Sequence, residues 1–265
     1  MEVEEDVAMK TVLNGILLAF QFFTVVPINK ELPLTKKTIT AMFSFLPWLG
    51  AIMGAVMTAI FYLLQTYTDL SSILTGFLLV FGYVIWTGGL HLDGFVDMGD
   101  AYFSYRDIDK RIEILDDPRI GAFGAMSLVF LVLTKIFFLS ELVGQQDFNW
   151  IWLIAVPFYS RLGMSVYFIQ TKSSKEKGLG FFFKQHLNLK YWLISTIIST
   201  IIGTTLLFWL SGQWQLIILL LIVIVTAFFY KWWTIRNFRG SSGDLLGAFI
   251  EGMEGVLWIV LLLFT

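Results

Sequence analysis

The sequence predicts an all-α fold: a polytopic helical membrane bundle of about seven transmembrane helices plus an N-terminal re-entrant or interfacial helix. Three observations carry this reading. Hydrophobic residues make up 57% of the chain and charged residues only 14%, where an ordinary soluble domain is about one quarter charged. Three stretches, 38–68, 70–92 and 191–230, contain no Asp, Glu, Lys or Arg. Basic residues fill every second connecting loop and are missing from the loops between.

Taken in order, residues 11–28 form an apolar segment interrupted by Pro27. Lys10 and Lys30 put basic residues on both flanks, so the segment is expected to dip into the membrane or lie along its inner face. An ordinary eighth span is the alternative. Spans are then predicted at about 39–64, 71–90, 120–141, 150–170, 191–211, 214–231 and 244–264. The charge-free run 191–230 is long enough for two crossings of about 20 residues each, with "SGQWQ" at 211–215 as the turn.

Orientation follows from the loops. Lys30, Lys36 and Lys37 precede the first span, and Arg106, Lys110, Arg111 and Arg119 lie in the 91–119 loop. The 171–190 loop holds Lys172, Lys175, Lys177, Lys184 and Lys190, and the last basic loop holds Lys231, Arg236 and Arg239. Loops 65–70, 142–149 and 212–213 hold no Lys or Arg. This asymmetry places the basic loops in the cytoplasm. The acidic start "MEVEEDVAMK" is unlike a secretory signal. The absence of cysteine excludes disulfides and thiolate metal sites. The 265 residues read as one integral membrane domain, and no nucleic-acid partner is expected.

The acidic clusters lie on the basic-loop side. In "GGLHLDGFVDMGD" (88–100), Asp93, Asp97 and Asp100 are spaced i, i+4, i+7. At about 100° per residue a helix brings them within roughly 60° of one another. Three carboxylates on one stripe repel each other, and a divalent cation removes the conflict. Oxygen-only ligation suits Mg²⁺ or Mn²⁺ better than zinc. His91 is a candidate ligand or phosphate contact. The bland alternative is a solvated helix start with aspartates near the positive end of its dipole.

A second cluster, "RIEILDDPRIGAFG" (111–124), offers Arg111, Glu113, Asp116, Asp117 and Arg119, with Pro118 ending the helix. Arg119 reads as an interfacial anchor or an anion clamp. A third, "RNFRGSSGDLLGAFIEGMEG" (236–255), places Arg236 and Arg239 beside a "GSSG" turn suited to cradling phosphate, with Ser242 in it. Asp244 starts the last span, and Glu251 and Glu254 lie deeper in it; intramembrane carboxylates are functional by default. Arg161 also lies inside a span and is expected to pair with Glu251, Glu254 or a substrate phosphate. Lys135, nearer the outer end, reads as a snorkelling residue without a functional role. The aromatic residues, 17% of the chain, read as lipid-facing rather than as a stacking surface.

Acids to hold metal and arginines to hold phosphates fit phosphoryl transfer, which is mostly positioning and charge neutralisation. No P-loop or dinucleotide fingerprint is present. A CDP-alcohol phosphotransferase is one alternative, although its "DG-x2-AR" continuation is missing. An ion-coupled transporter is another, although no repeat is visible and the charges crowd one face.

The string "TGGLHLDGFVDMGD", "RIEILDDPRIGAFG", "SRLGM", "EKGLG" and "RGSSGDLLGAFIEGMEG" resembles the cobalamin synthase family in order and spacing, and "FQFFTVVPI" resembles that family's N-terminal segment. The resemblance covers nearly the whole chain. It implies a Mg²⁺-dependent membrane transferase that joins adenosylcobinamide-GDP to α-ribazole or its 5′-phosphate, releasing GMP. The implied setting is the cytoplasmic (inner) membrane, with the active site facing the cytoplasm and other corrinoid-pathway enzymes as candidate partners. On this reading Asp93, Asp97 and Asp100 bind Mg²⁺ bridging the diphosphate. Arg119, Arg161 and Arg236 neutralise phosphates, and Arg111, Glu113, Asp117 and Ser242 complete substrate binding. Asp244 or Glu251 completes the metal site or accepts the proton of the attacking hydroxyl. Three positions depart from the family pattern: "RGSSGD" has Arg239 in place of a glycine and Ser242 in place of a threonine, and Pro118 stands where a serine is usual.

Overall fold

The computed structural model describes residues 2–104 and 107–264, with side chains from residue 8 onward. Arg106, one of the basic residues used for orientation, lies outside the described residues. The chain folds into α1 (Glu2–Phe23), α2 (Lys36–Tyr67), α3 (Ser72–Thr87), α4 (Leu90–Phe103), α5 (Ile108–Ile114) and α6 (Ala122–Val143). It continues through α7 (Ile151–Gln170), α8 (Leu179–His186), α9 (Leu189–Ser211), α10 (Gln215–Phe238) and α11 (Gly243–Leu262). Among the described residues the only β-type pairing is an isolated bridge between Ser173 and Ser241.

Six helices, α2, α6, α7, α9, α10 and α11, are long and apolar enough to cross a membrane, and α3 with α4 makes a seventh when taken together. This is the integral membrane bundle the sequence predicts. α7 sits at its centre, against α2, α9, α10 and α11. The outer helices α6, α9 and α10 expose Phe130, Trp209 and Val225, as lipid-facing surfaces do. Three starts have a local cause: Thr35 and Thr38 form a capping box at α2, and Asn188 and Ser242 accept backbone N–H bonds at α9 and α11.

The pair α3–α4 is bent by 94°. The "TGG" of the sequence explains the corner: Gly88 (φ 62°) and Gly89 (φ 77°) are both left-handed, a conformation that costs a side-chain-bearing residue roughly 1–2 kcal/mol. α4 therefore leaves the span and lies across the ends of α6 and α11 on the basic-loop side. There Gly94 rests on Asp244, where an added Cβ would meet the Asp244 carbonyl at 2.5 Å.

α1 behaves as an interfacial or re-entrant helix. Its apolar part, Ala8–Phe23, is 16 residues, short of the ~20 a crossing needs. It packs on the first turns of α2, with Phe20 against Phe45 and Phe23 against Phe43 (ring centroids 6.3 and 6.0 Å). The following Val25 N–H bonds Trp86 O at 2.9 Å, at the end of α3. The C-terminal flank of α1 thus stays with the start of α2 and the end of α3, which belong to one side. α10 runs on to Phe238, several residues past the predicted end of its span, so Lys231 and Arg236 lie on a helix rather than in a loop.

Candidate active site

A cavity of about 330 Å³ opens on the basic-loop side between α1, α2, α4, α7, α8 and α11. Its mouth is polar, lined by Asp93, Asp116, Lys175, Lys177, Ser242 and Asp244. The bridge at Ser173–Ser241 builds this mouth. Ser174 N–H donates to Ser241 O and Ser241 N–H to Lys172 O, each at 2.9 Å. The 171–178 segment is thereby fastened to the turn before α11. Lys175 then reaches both Asp116, in a short ion pair, and Asp244 Oδ2 at 3.9 Å, while Lys177 lies 3.2 Å from Asp116. Ser242 Oγ donates to Asp244 Oδ2 at 3.2 Å, leaving Asp244 Oδ1 unpaired.

Charge at the mouth is not balanced. Burial pushes the Asp97 carboxyl up to about 7, and the nearby charges of Asp93, Asp244 and Asp100 push the same way. Burial also pushes Asp116 up, but its bonds to Lys175 and Lys177 outweigh this and hold it below the usual carboxylate range. Among the described residues no three His, Asp or Glu side chains converge closely enough to hold a metal ion as they stand. The donor chemistry still fits a hard divalent cation. Asp93, Asp97 and Asp244 offer oxygen ligands only, and their mutual repulsion is what a cation would relieve.

Asp100 does not belong to that group. Its side chain turns to the start of α6, where Oδ2 accepts Gly121 N–H at 2.6 Å and Oδ1 accepts Gly124 N–H at 2.8 Å. With Asp100 only 8% exposed and each oxygen accepting a backbone N–H of α6, the stripe presents Asp93 to the cavity, with Asp97 one turn on, while the third aspartate is turned to α6. The helical spacing was right; what it could not show is that α6 begins against the third position.

The remaining predicted residues divide between mouth, interior and surface. His91 lines the cavity; burial lowers its imidazole to about 3, with Arg161 adding to the effect, and its buried Nδ1 has no hydrogen-bond partner. Arg161 lines the inner end of the cavity. Its Nη1 donates to Glu254 Oε1 in a short ion pair and to Ser160 Oγ at 3.0 Å, while Nη2 meets only the Met53 sulfur at 3.8 Å. Of the pairings expected for Arg161, the structure contains the one to Glu254. Glu251 lies off the cavity, bonded to Lys135 Nζ at 2.6 Å, and Lys135 bonds Glu254 at the same distance. Lys135 is therefore not a snorkelling residue; it is 4% exposed and ties α6 to α11.

On the surface, Arg119 is 85% exposed and pairs with Asp117 at 2.7 Å, and Glu113 pairs with Lys110 at 2.8 Å. Arg111 bonds Asn237 at 2.7 Å and lies over the Tyr102 ring, and Arg236 lies over Trp232. None of Arg111, Glu113, Asp117, Arg119 or Arg236 lines the cavity. Sequence reasoning used Lys175 and Lys177 only for orientation, yet they are the cations of the mouth. Their position next to "GLG" was the available signal.

The family described as cobalamin-5-phosphate synthase matches residues 15–262. An adenosylcobinamide-GDP ribazoletransferase of Geobacillus kaustophilus is 33% identical over 258 residues, covering 96% of this chain and 97% of that protein. The protein of that name from Halalkalibacterium halodurans is 33% identical over 260 residues, covering 94% and 95% of the two chains. A third, from Treponema denticola, is 36% identical over 187 residues, 69% of this chain and 68% of its own. No solved structure matches the chain.

Proposed function

The chain belongs to the cobalamin-5-phosphate synthase family, and from this premise we propose that it joins adenosylcobinamide-GDP to α-ribazole or α-ribazole 5′-phosphate, giving adenosylcobalamin or its 5′-phosphate and GMP. The observation that carries the reading is the mouth of the cavity, where Asp93, Asp116 and Asp244 meet Lys175 and Lys177, with Asp97 one turn beyond Asp93 on α4.

In this reaction a ribose hydroxyl of the acceptor attacks the phosphorus that carries the corrinoid. A new O–P bond forms, the bond to the GMP oxygen breaks, and the hydroxyl proton goes to a base. Asp244 is assigned as that base, because its contacts with Ser242 and Lys175 both fall on Oδ2 and leave Oδ1 to accept. Lys175 and Lys177 neutralise the diphosphate; binding it would draw them from Asp116. Arg119, exposed and paired with Asp117 outside the cavity, is assigned to meet the donor from outside. Arg161, deep and paired, holds the cavity's inner end instead of a phosphate. Asp93 and Asp97 would hold Mg²⁺. When bound, the ion supplies charge neutralisation at the phosphates and leaving oxygen. The basic loops around the mouth support a cytoplasmic orientation in the inner membrane.

Purified protein in nanodiscs, given adenosylcobinamide-GDP, α-ribazole and Mg²⁺, is expected to yield a product of cobalamin mass with one GMP per turnover, and EDTA is expected to abolish both. Absence of product from a folded sample, beside an active control enzyme, would overturn the assignment.

A further inference from the structure

Behind its polar mouth the cavity continues as an apolar lobe. Phe22 from α1, Phe43, Leu46 and Met53 from α2, Met164 from α7 and Phe183 from α8 wall it. Phe183 meets both Phe22 and Phe43 edge-on, with ring centroids at 5.4 Å in each pair. Along α11 the lobe reaches Ile250, roughly 10 Å below the start of that helix by its rise per residue. Two polar groups stand at the inner end: His91, whose Nδ1 lacks a partner, and the Arg161 guanidinium, whose Nη2 has only a thioether sulfur. The aromatic residues, read from sequence as lipid-facing, thus include a few that form a closed wall, and the N-terminal helix gains a purpose in supplying one side of it.

Resting on the function proposed above, we infer that this lobe seats the benzimidazole of the ribazole acceptor, base inward and ribose at the mouth, while the corrinoid donor stays outside. Size and chemistry select this occupant among the three large groups of the reaction. At about 330 Å³ the cavity is at the small end of the ~300–1,000 Å³ range of ligand sites. A fused bicyclic base fits that space, and a corrin macrocycle fringed with amide arms does not. Guanine is flat and small enough, but its edge carries several donors and acceptors that an apolar wall would leave unpaired. Dimethylbenzimidazole is apolar around its rim except for one unsubstituted ring nitrogen, and the inner end provides donors for one such acceptor. With the base inward, the ribose hydroxyls lie among Asp93, Asp244 and Lys175, where the diphosphate must be attacked.

The test compares acceptors and one lobe-filling variant, Leu46→Trp, in nanodiscs, by steady-state kinetics and by equilibrium dialysis of radiolabelled α-ribazole without donor. Wild type is expected to bind α-ribazole without donor. Removing both methyl groups of the base is expected to raise KM for the acceptor about tenfold, from the loss of two buried carbons. Leu46→Trp is expected to weaken acceptor binding at least tenfold and leave KM for adenosylcobinamide-GDP within twofold. Turnover with α-ribazole, but with KM indifferent to the methyl groups and acceptor binding unchanged in Leu46→Trp, would overturn the inference and leave the function standing. Binding with the expected methyl and Leu46→Trp dependence but without turnover would do the reverse. Should Leu46→Trp fail to fold, the methyl series on the wild type decides alone.

Discussion

α11 contributes carboxylates to two charged regions that are put together differently. Glu251 and Glu254 join Lys135 and Arg161 inside the bundle, two anions against two cations, all within hydrogen-bond reach. Asp244, two turns earlier, joins Asp93 and Asp116 at the mouth, with Asp97 close behind Asp93, so that the carboxyls there outnumber Lys175 and Lys177. The inner group is closed: its charges satisfy one another and, apart from Arg161, face no cavity. The outer group is open and carries excess negative charge next to space. Depth in the membrane therefore does not distinguish function from scaffold here; balance does. A buried ion pair whose partners are all present is weak evidence for anything beyond the fold, whereas an unbalanced cluster at a cavity mouth is waiting for a cation or a substrate.

The largest expected effect breaks the inner group from one side. Glu254→Gln leaves Arg161 facing a neutral amide and Lys135 with one carboxylate, and removal of one partner of a buried pair typically costs about 3–5 kcal/mol. Reversible unfolding in mixed detergent micelles should show a loss of that size. The double variant Lys135→Met/Glu251→Leu removes one pair whole and keeps Arg161–Glu254, so its stability should change little and its turnover stay within a few-fold. A collapse of turnover in the folded double variant would mean that the inner group takes part in the chemistry and that the distinction by balance is wrong.

The next test separates Asp97 from Asp100, two aspartates on one helical stripe with different partners. Asp97→Asn removes a carboxylate from the unbalanced mouth and should lower kcat about 10²-fold or more, with stability unchanged or slightly raised because repulsion is relieved. Asp100→Ala removes the acceptor of two backbone N–H groups at the start of α6 and should cost about 1–2 kcal/mol of stability, as the loss of a helix cap does. Mg²⁺ dependence of the remaining activity should persist in Asp100→Ala. If Asp97→Asn kept full Mg²⁺-dependent turnover, the metal reading of the mouth would fall.

Much of this was legible from residue order. Charge-free runs gave the helices, because the membrane permits few alternatives, and the i, i+4 spacing put Asp93 and Asp97 on one face. What could not be read is contact between elements distant in sequence. Asp100 and Gly124 are 24 positions apart, Lys135 and Glu254 are 119 apart, and Lys175 meets Asp116 across 59. Nothing local marks these pairs. The lobe was hidden for another reason: with 26 phenylalanines in the chain, three that converge look like the rest.

One departure from the family pattern has a conformational answer and gives the smallest prediction. Arg239 stands where the resemblance leads one to expect glycine, and its φ is 61°, the one left-handed non-glycine residue among those described. It ends α10, with its N–H bonded to Ile235 O at 3.1 Å, a cap that glycine fills without strain. An arginine here costs roughly 1–2 kcal/mol of backbone strain. Part of that is offset by a positive side chain at a helix C-terminus and by the exposed pair with Asp109, worth at most about 1 kcal/mol. Arg239→Gly should therefore stabilise the protein by up to about 1 kcal/mol and leave turnover unchanged, since the side chain faces α5 and not the cavity. A fall in turnover without a change in stability would instead place the guanidinium in substrate binding, and the mouth would extend outward past the turn that precedes α11.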